Sequence, residues 1–344
     1  MKKLFALILP AMLLLNSCAR EQQEMVTDNG PTKTDTELIK QAKTYFKPLP
    51  KIAENPENKI TEEKIKLGKM LFFDTRLSFQ GNNSCNSCHN LNAYGVDNLP
   101  TSRGDAGYFG ERNASTVYNA ALQTIQFWDG RAKNVEEQAG FPILNPIEMD
   151  IPNEAFIEKK IREIETYQIM FKAAYPNEKE SITFSNIKKS IAAFERTLIT
   201  PSKFDDFLNN DYNALTVEEK KGLKTFIESG CINCHNGIVI GATQMQKFGL
   251  YYDYRKFTNS KKNDEGLKML TKKESDKNMF KVPSLRNIDK TGPYFHDGSV
   301  ENLKEAIRIM AKTELNKEMN QNNIEEIYSF LKTLTGKIPE KQNQ

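Results

Sequence analysis

Cys85-Asn86-Ser87-Cys88-His89 and Cys231-Ile232-Asn233-Cys234-His235 are the two stretches that decide how this chain is read. In each, two thiols can add across the vinyl groups of one haem, and the adjoining histidine can bind its iron. The 344-residue chain contains only five cysteines and three histidines, so the pentapeptides absorb nearly all of both types. The expectation is a c-type protein carrying two covalent haems.

Outward from these stretches, each is preceded by the same kind of segment. Thr61-Glu62-Glu63-Lys64 opens a helix toward Phe73, with Ile65, Leu67, Met70 and Leu71 as its apolar side. Thr216-Val217-Glu218-Glu219 opens another that runs directly into the second pentapeptide. Helical periodicity recurs at 153–175, at 184–198 through Ile187, Ile191, Phe194 and Leu198, and at 300–310 and 324–334. Thr200-Pro201 breaks the pattern, which divides the chain into a first haem domain at 39–200 and a second at 201–344. Residues 90–132 are rich in Gly, Asn, Asp and Ser; so long an irregular stretch in a compact protein usually lines a functional site. The lysine-rich stretch 256–281 reads as loop, and no run of alternating strand residues stands out. The fold class is therefore mainly α, with two cytochrome c-like domains, each binding one covalent haem.

The N-terminus has a basic tip, a short apolar run and Leu15, Ser17 and Cys18 at its end. It reads as an export signal over 1–17, with an apolar core too short to span a bilayer comfortably. Cleavage before Cys18 would leave a lipidated N-terminus followed by a polar tether to residue 38; an ordinary signal peptide with an incidental cysteine is the alternative. The lipid reading places the protein on the periplasmic side as a membrane-anchored lipoprotein and accounts for the fifth cysteine. The formal net charge is +3. Loss of Lys2 and Lys3 with the leader, and the carboxylates that two haems bring, remove that excess. Nucleic acid is not an expected partner.

Further motifs occur in order: Leu71-Phe72-Phe73-Asp74-Thr75-Arg76-Leu77-Ser78, Arg112-Asn113-Ala114-Ser115-Thr116-Val117-Tyr118-Asn119, Phe127-Trp128-Asp129-Gly130-Arg131-Ala132, Lys281-Val282-Pro283-Ser284-Leu285-Arg286-Asn287, and Gly292-Pro293-Tyr294-Phe295-His296-Asp297-Gly298. Over roughly residues 40–335 the chain resembles the bacterial di-haem cytochrome c peroxidase family, which includes enzymes that mature a tryptophan-derived quinone cofactor. The resemblance implies that the haem on Cys85, Cys88 and His89 is peroxidatic. It also implies that the haem on Cys231, Cys234 and His235 takes electrons from a small cytochrome c, a cupredoxin or a membrane donor. Met310 matches that second haem's distal ligand, a choice that raises a haem's potential and closes its iron, with Met279 and Met269 as fallbacks.

By the same match Glu148 is the distal acid, with Gln138 and Pro142 as pocket companions. A carboxyl in an apolar haem pocket would have a raised pKa and could shuttle a peroxide proton. Trp128, the only tryptophan, matches the residue between the haems. Asn113, Thr291 and Pro293 match a calcium site that uses hard oxygen ligands. Relatives are often homodimers.

One departure stands out. Classical members carry a distal histidine in the loop after the first haem motif. Here that loop, Thr101-Ser102-Arg103-Gly104-Asp105-Ala106-Gly107-Tyr108, has none. The first iron is then open at rest, the favoured expectation, or takes Tyr108 or Met149. His296 is expected to serve structure or coupling near the haems. The leading function is reduction of hydrogen peroxide to water. The alternatives are oxidation of a protein partner's side chain, as in the quinone-maturing relatives that use tyrosine where Met310 stands, and electron carriage without catalysis.

Overall fold

Each haem-attachment segment hangs from a helix that a glycine lets cross a second helix at close range. The computed structural model describes residues 32–258 and 260–339; the leader, Cys18 and most of the expected tether lie outside them. Helix Glu62–Phe73 is capped by the Thr61 hydroxyl, which accepts from Lys64 N. It crosses helix Phe184–Glu195 at Gly68, where a Cβ would lie 1.8 Å from the Ser190 carbonyl oxygen and 3.0 Å from Phe194 Cβ. Helix Val217–Glu228, opened by a Thr216/Glu219 capping box, crosses helix Gln321–Lys332 in the same way. At Gly222 a Cβ would lie 2.0 Å from the Glu326 carbonyl oxygen and 3.0 Å from Phe330 Cβ. Glycine is required at both crossings because backbone meets backbone there.

Two apolar cores form around these crossings. The first gathers Leu67, Leu71, Phe72, Ile187, Ile191, Phe194 and Leu198. The second gathers Leu223, Phe226, Ile307, Ile324, Ile327 and Phe330. Burying each such side chain contributes roughly 1.5–3 kcal/mol before the entropy of ordering is set against it.

A repeated strap runs between the cores. One constant spacing in the chain separates Asn119 from Asn287, Phe127 from Phe295 and Gly130 from Gly298, and every one of these residues has positive φ. The same spacing separates Asn134 from Asn302, each an N-cap. Antiparallel bridges Gln126–Ala132 and Tyr294–Val300 close the two turns. The repeats meet at Thr200, whose hydroxyl oxygen accepts from Asn119 Nδ2 (2.8 Å) and Asn287 Nδ2 (2.9 Å). Thr200 N donates to Asn119 Oδ1 at 3.0 Å and Gly336 N to Asn287 Oδ1 at 2.9 Å. Thr200, just before the Pro201 break, is thus hydrogen-bonded to both repeats.

The fold is mainly helical, as expected, with differences in detail. Helix Lys33–Tyr45 starts within the stretch read as tether, capped by a Thr32/Asp35 box. Its Ile39 and Ala42, with Phe46, enter the second core, so a domain beginning at residue 39 does not describe this segment. The helix was missed because its few buried residues sit among lysines and polar groups. The 153–175 periodicity divides into Glu154–Arg162 and Glu165–Ala174. The 256–281 stretch contains short helices Arg255–Thr258 and Lys268–Thr271 and a three-residue strand, Met279–Lys281, antiparallel to Met245–Lys247. Strands this short have no alternation to detect.

Candidate di-haem site

Both pentapeptides form a single helical turn that brings cysteine and histidine to one locus. Cys85–Cys88 is helical, with Ser84 N donating to Ser87 Oγ at 3.0 Å and His89 N donating to Cys85 O at 2.9 Å. Cys231–Asn233 is a tighter turn entered through Gly230 at φ 92°, and His235 N donates to Cys231 O at 2.9 Å. Burial pushes all four thiols up: Cys88 to about 11 and Cys231 to about 12, with Cys85 and Cys234 raised as well. Burial also pushes His235 down to about 4 and lowers His89, so both imidazoles are neutral near pH 7, the state that binds iron. Backbone groups of Gly95 and Ser115 flank His89, and those of Ile240 and Pro283 flank His235. Neither Nδ1 is hydrogen-bonded within the protein. Two partly buried thiols and a partly buried, neutral imidazole per locus fit a covalently attached haem at each.

Glu148 lies in a turn that the sequence motif alone does not reveal. Its backbone N donates to Asn145 O at 3.0 Å, and Asn145 Nδ2 donates to its Oε1 at 2.7 Å. Burial raises its pKa, opposed by the positive charge of Arg131 and by the Asn145 hydrogen bond. Its charge in turn helps raise the Cys88 thiol, so the two groups are close enough to interact electrostatically. The histidine-free loop closes onto this turn: Asp105 N donates to Glu148 O at 2.7 Å. Gly104 approaches so closely that a Cβ would lie 1.6 Å from Ile147 O. The Asp105 carboxylate holds the loop to the first unit through Ser78 Oγ (2.8 Å), Gln80 N (2.5 Å) and Asn82 N (2.8 Å). Hydrogen bonds of this kind hold its pKa low against burial. Tyr108 in that loop is 68% exposed, while Met149 is buried with Phe79 N donating to its carbonyl at 2.8 Å. Gln138 ends the short helix Val135–Gln138, and Pro142 lies in helix Gly140–Leu144.

Met310, on helix Leu303–Leu315, packs with Trp128 and Phe295 against Phe248, Tyr254 and Phe280. Met269 is 45% exposed and Met279 lies in the short strand, so of the three methionines only Met310 joins this wall. Trp128 Nε1 donates to Asn113 O at 2.9 Å, and Asn113 N donates to His296 O at 2.7 Å, linking the equivalent turns of both units. Asn113 Nδ2 donates to Leu99 O at 2.8 Å, leaving its Oδ1 free. The neighbouring Asn98 amide reaches the carbonyls of Lys290 (3.2 Å) and Gly292 (2.8 Å), beside Thr291 and Pro293. Among the described residues, no three or more His, Cys, Asp and Glu side chains are grouped to hold a metal ion.

Several residues escaped sequence reasoning. Arg131 donates to both Asp129 oxygens at 2.9 Å and lies 3.5 Å from the Phe127 ring centre. Glu195, buried beside the first unit's attachment segment, is pushed up to about 8 by burial and the nearby Glu136 charge, and its own charge raises Cys85. Lys281 is buried with only Gln123 Oε1 as side-chain acceptor, and burial lowers it to about 8. Nothing in local spacing distinguishes these from ordinary surface charges.

Comparison with known proteins identifies the family. The family model for di-haem cytochrome c peroxidase matches residues 62–213. The chain is 45% identical over 289 residues to cytochrome c551 peroxidase of Nitrosomonas europaea, covering 84% of each chain. It is 43% identical over 306 residues to the protein of the same name from Pseudomonas aeruginosa, covering 88% of this chain and 87% of that one. The crystal structure of a MauG-like protein associated with microbial copper homeostasis superposes with a TM-score of 0.76 at 29% identity, covering 87% of this chain and 97% of that one.

Proposed function

The chain belongs to the di-haem cytochrome c peroxidase family, and from that premise we propose that it reduces hydrogen peroxide to two waters, consuming two electrons and two protons. Cys231, Cys234, His235 and Met310 would hold the haem that accepts electrons from a small cytochrome c, a cupredoxin or a membrane donor. Cys85, Cys88 and His89 would hold the peroxidatic haem, and Trp128 would couple the two haems. Bound haem supplies the iron that binds peroxide and the redox equivalents that split its O–O bond.

The protein's own part is positional and acid–base. Glu148, oriented by Asn145, would take a proton from one peroxide oxygen and return it to the other as the O–O bond breaks. Gln138 would serve as its hydrogen-bonding companion, and Pro142 would line the pocket. Burial raises the Glu148 pKa and so strengthens its hold on the proton it transfers.

The observation that carries the reading is an asymmetry within the repeat. The spacing that relates Asn134 to Asn302 also relates Pro142 to Met310. Where the second unit would offer a thioether to iron, the first has a proline ring with no donor atom. With no histidine in the 101–108 loop and Tyr108 turned to solvent, neither would close an iron bound by His89, which would therefore be open at rest. The test is electron paramagnetic resonance of the fully oxidised enzyme followed by peroxide addition. A high-spin signal beside a low-spin one, with immediate spectral change on peroxide, is expected. Two low-spin signals and a silent peroxide addition would overturn it.

The same reading assigns the first domain to the segment ending at Thr200 and the second to residues 201–344. It places the protein in the periplasm, anchored through a lipid on Cys18, with Asn113, Thr291 and Pro293 contributing to a calcium site and a homodimer as the assembly. Oxidation of a partner protein's side chain is the lesser reading, because a methionine at position 310 suits a high-potential electron acceptor.

A further inference from the structure

His296 is the third histidine of the chain, and neither of its ring nitrogens has a use within the protein. It is 1% exposed, and Nδ1 and Nε2 both lack a hydrogen-bond partner. Its ring is fixed on four sides. It stacks on Phe280 (centroids 4.2 Å apart, planes at 28°) and stands edge-on to Tyr254 at 5.5 Å, Phe248 at 6.1 Å and Trp128 at 6.3 Å. Each buried polar atom left unpaired costs about 1–3 kcal/mol, so a phenylalanine would suit this box better if packing were the residue's whole task.

The internal repeat sharpens the contrast. His296 occupies in the second unit the position of Trp128 in the first, between a positive-φ phenylalanine and an Asp-Gly pair. The indole N–H is satisfied by Asn113 O. The imidazole is held by its backbone carbonyl to the same Asn113, yet its ring atoms are not satisfied. The charged groups that face it are Asp297, Asp264, Arg112 and Lys262. Asp264 is engaged by Arg112 at 2.7 and 2.9 Å and by Gly266 N at 2.8 Å, and Asp297 by Ser299 N at 3.2 Å. None of the four hydrogen-bonds the imidazole.

We propose that His296 donates a hydrogen bond to a propionate of the haem attached at Cys231–His235, and so helps set that haem's potential at the junction with Trp128. The inference rests on the haem placement of the proposed function. The walls of the histidine box, Phe248, Tyr254 and Phe280, are those against which Met310 packs, so box and haem share one side. A haem carboxylate is an acceptor of the class this N–H needs, and the other ring nitrogen is left to accept from a buried water.

The sign is set by charge. An N–H on the propionate offsets its negative charge, which otherwise favours ferric over ferrous iron. Removing it lowers the potential. In His296→Phe the reduction equilibrium of the Met-ligated haem should shift about tenfold toward ferric, or about 59 mV for one electron, in a spectroelectrochemical titration. The propionate bending band in resonance Raman should move with it, and His296→Gln, which keeps an N–H donor, should recover most of both. An unchanged potential and band in His296→Phe, with both haems loaded, would overturn the proposal; His296→Met provides the same reading if the phenylalanine variant loads poorly. Absence of a haem from the second pentapeptide, or of a methionine–iron absorption band, would instead undo the haem placement itself.

Discussion

Replacing Glu148 by glutamine tests the proposed chemistry with least disturbance. The two side chains are nearly the same size, and the glutamine oxygen can still accept from Asn145 Nδ2 at the 2.7 Å separation Glu148 uses. What is lost is the ability to take and return a proton. General acid–base catalysis contributes typically 10²–10⁴-fold. At about 1.4 kcal/mol per decade the variant should therefore lose about 3–5 kcal/mol of transition-state stabilisation. The assay is stopped-flow peroxide reaction of the oxidised enzyme together with steady-state turnover on a reduced donor. Haem content and resting spin states serve as controls and should not change.

The pH profile gives a second reading. Burial raises the Glu148 pKa, and the base must be ionised to accept the proton. Wild-type kcat/KM should fall as pH drops through that raised value, and the limb should vanish in the variant. The linked stability has the opposite sense. The folded state prefers the protonated acid, so this group costs nothing below its unfolded pKa and costs progressively more as pH rises from there toward the folded one, above which the cost is complete. Glu148→Gln should gain stability relative to wild type on the alkaline side only. Turnover within threefold of wild type, with haems and spin states intact, would refute the assignment.

Three further outcomes are expected from the packing and charge around the site. Arg131→Gln removes the cation that opposes the rise in the Glu148 pKa, so the acid limb of kcat/KM should move to higher pH; an unmoved limb would break that link. Thr200→Val keeps the shape but strands two buried amide donors, Asn119 Nδ2 and Asn287 Nδ2, and should cost about 2–5 kcal/mol by denaturant titration, against almost nothing if the amides find other acceptors. Gly68→Ala and Gly222→Ala each force a methyl into a backbone carbonyl at 1.8 and 2.0 Å, and thermal unfolding should show each destabilised by at least about 1–3 kcal/mol; an alanine variant as stable as wild type would mean the helices can part without cost.

How much was legible in the chain depended on how local the information was. The helices opened by Thr61 and Thr216 announced themselves through cap and apolar period, and both form as expected. Helix Lys33–Tyr45 did not, because only a narrow stripe of it is apolar and the core that buries the stripe is assembled from residues more than 150 positions away. Glu148 could be picked out by resemblance, but its grip by Asn145 and the closure of the 101–108 loop through Asp105 could not. Those depend on a glycine at 104 meeting a carbonyl at 147, a contact with no periodic signature.

Two haem-attachment sites, their histidines and a mainly helical chain were determined by sequence alone, because covalent attachment needs fixed residues at fixed short spacing. The relation between the two sites came from tertiary structure. The pairing of Trp128 with His296 and the stitching of both repeats at Thr200 join residues far apart in the chain. So does the partnerless state of a buried imidazole, which becomes visible only once every neighbouring donor and acceptor has been placed. Short-range spacing specifies what can be bonded, whereas burial and long-range contact decide which atoms remain free to act.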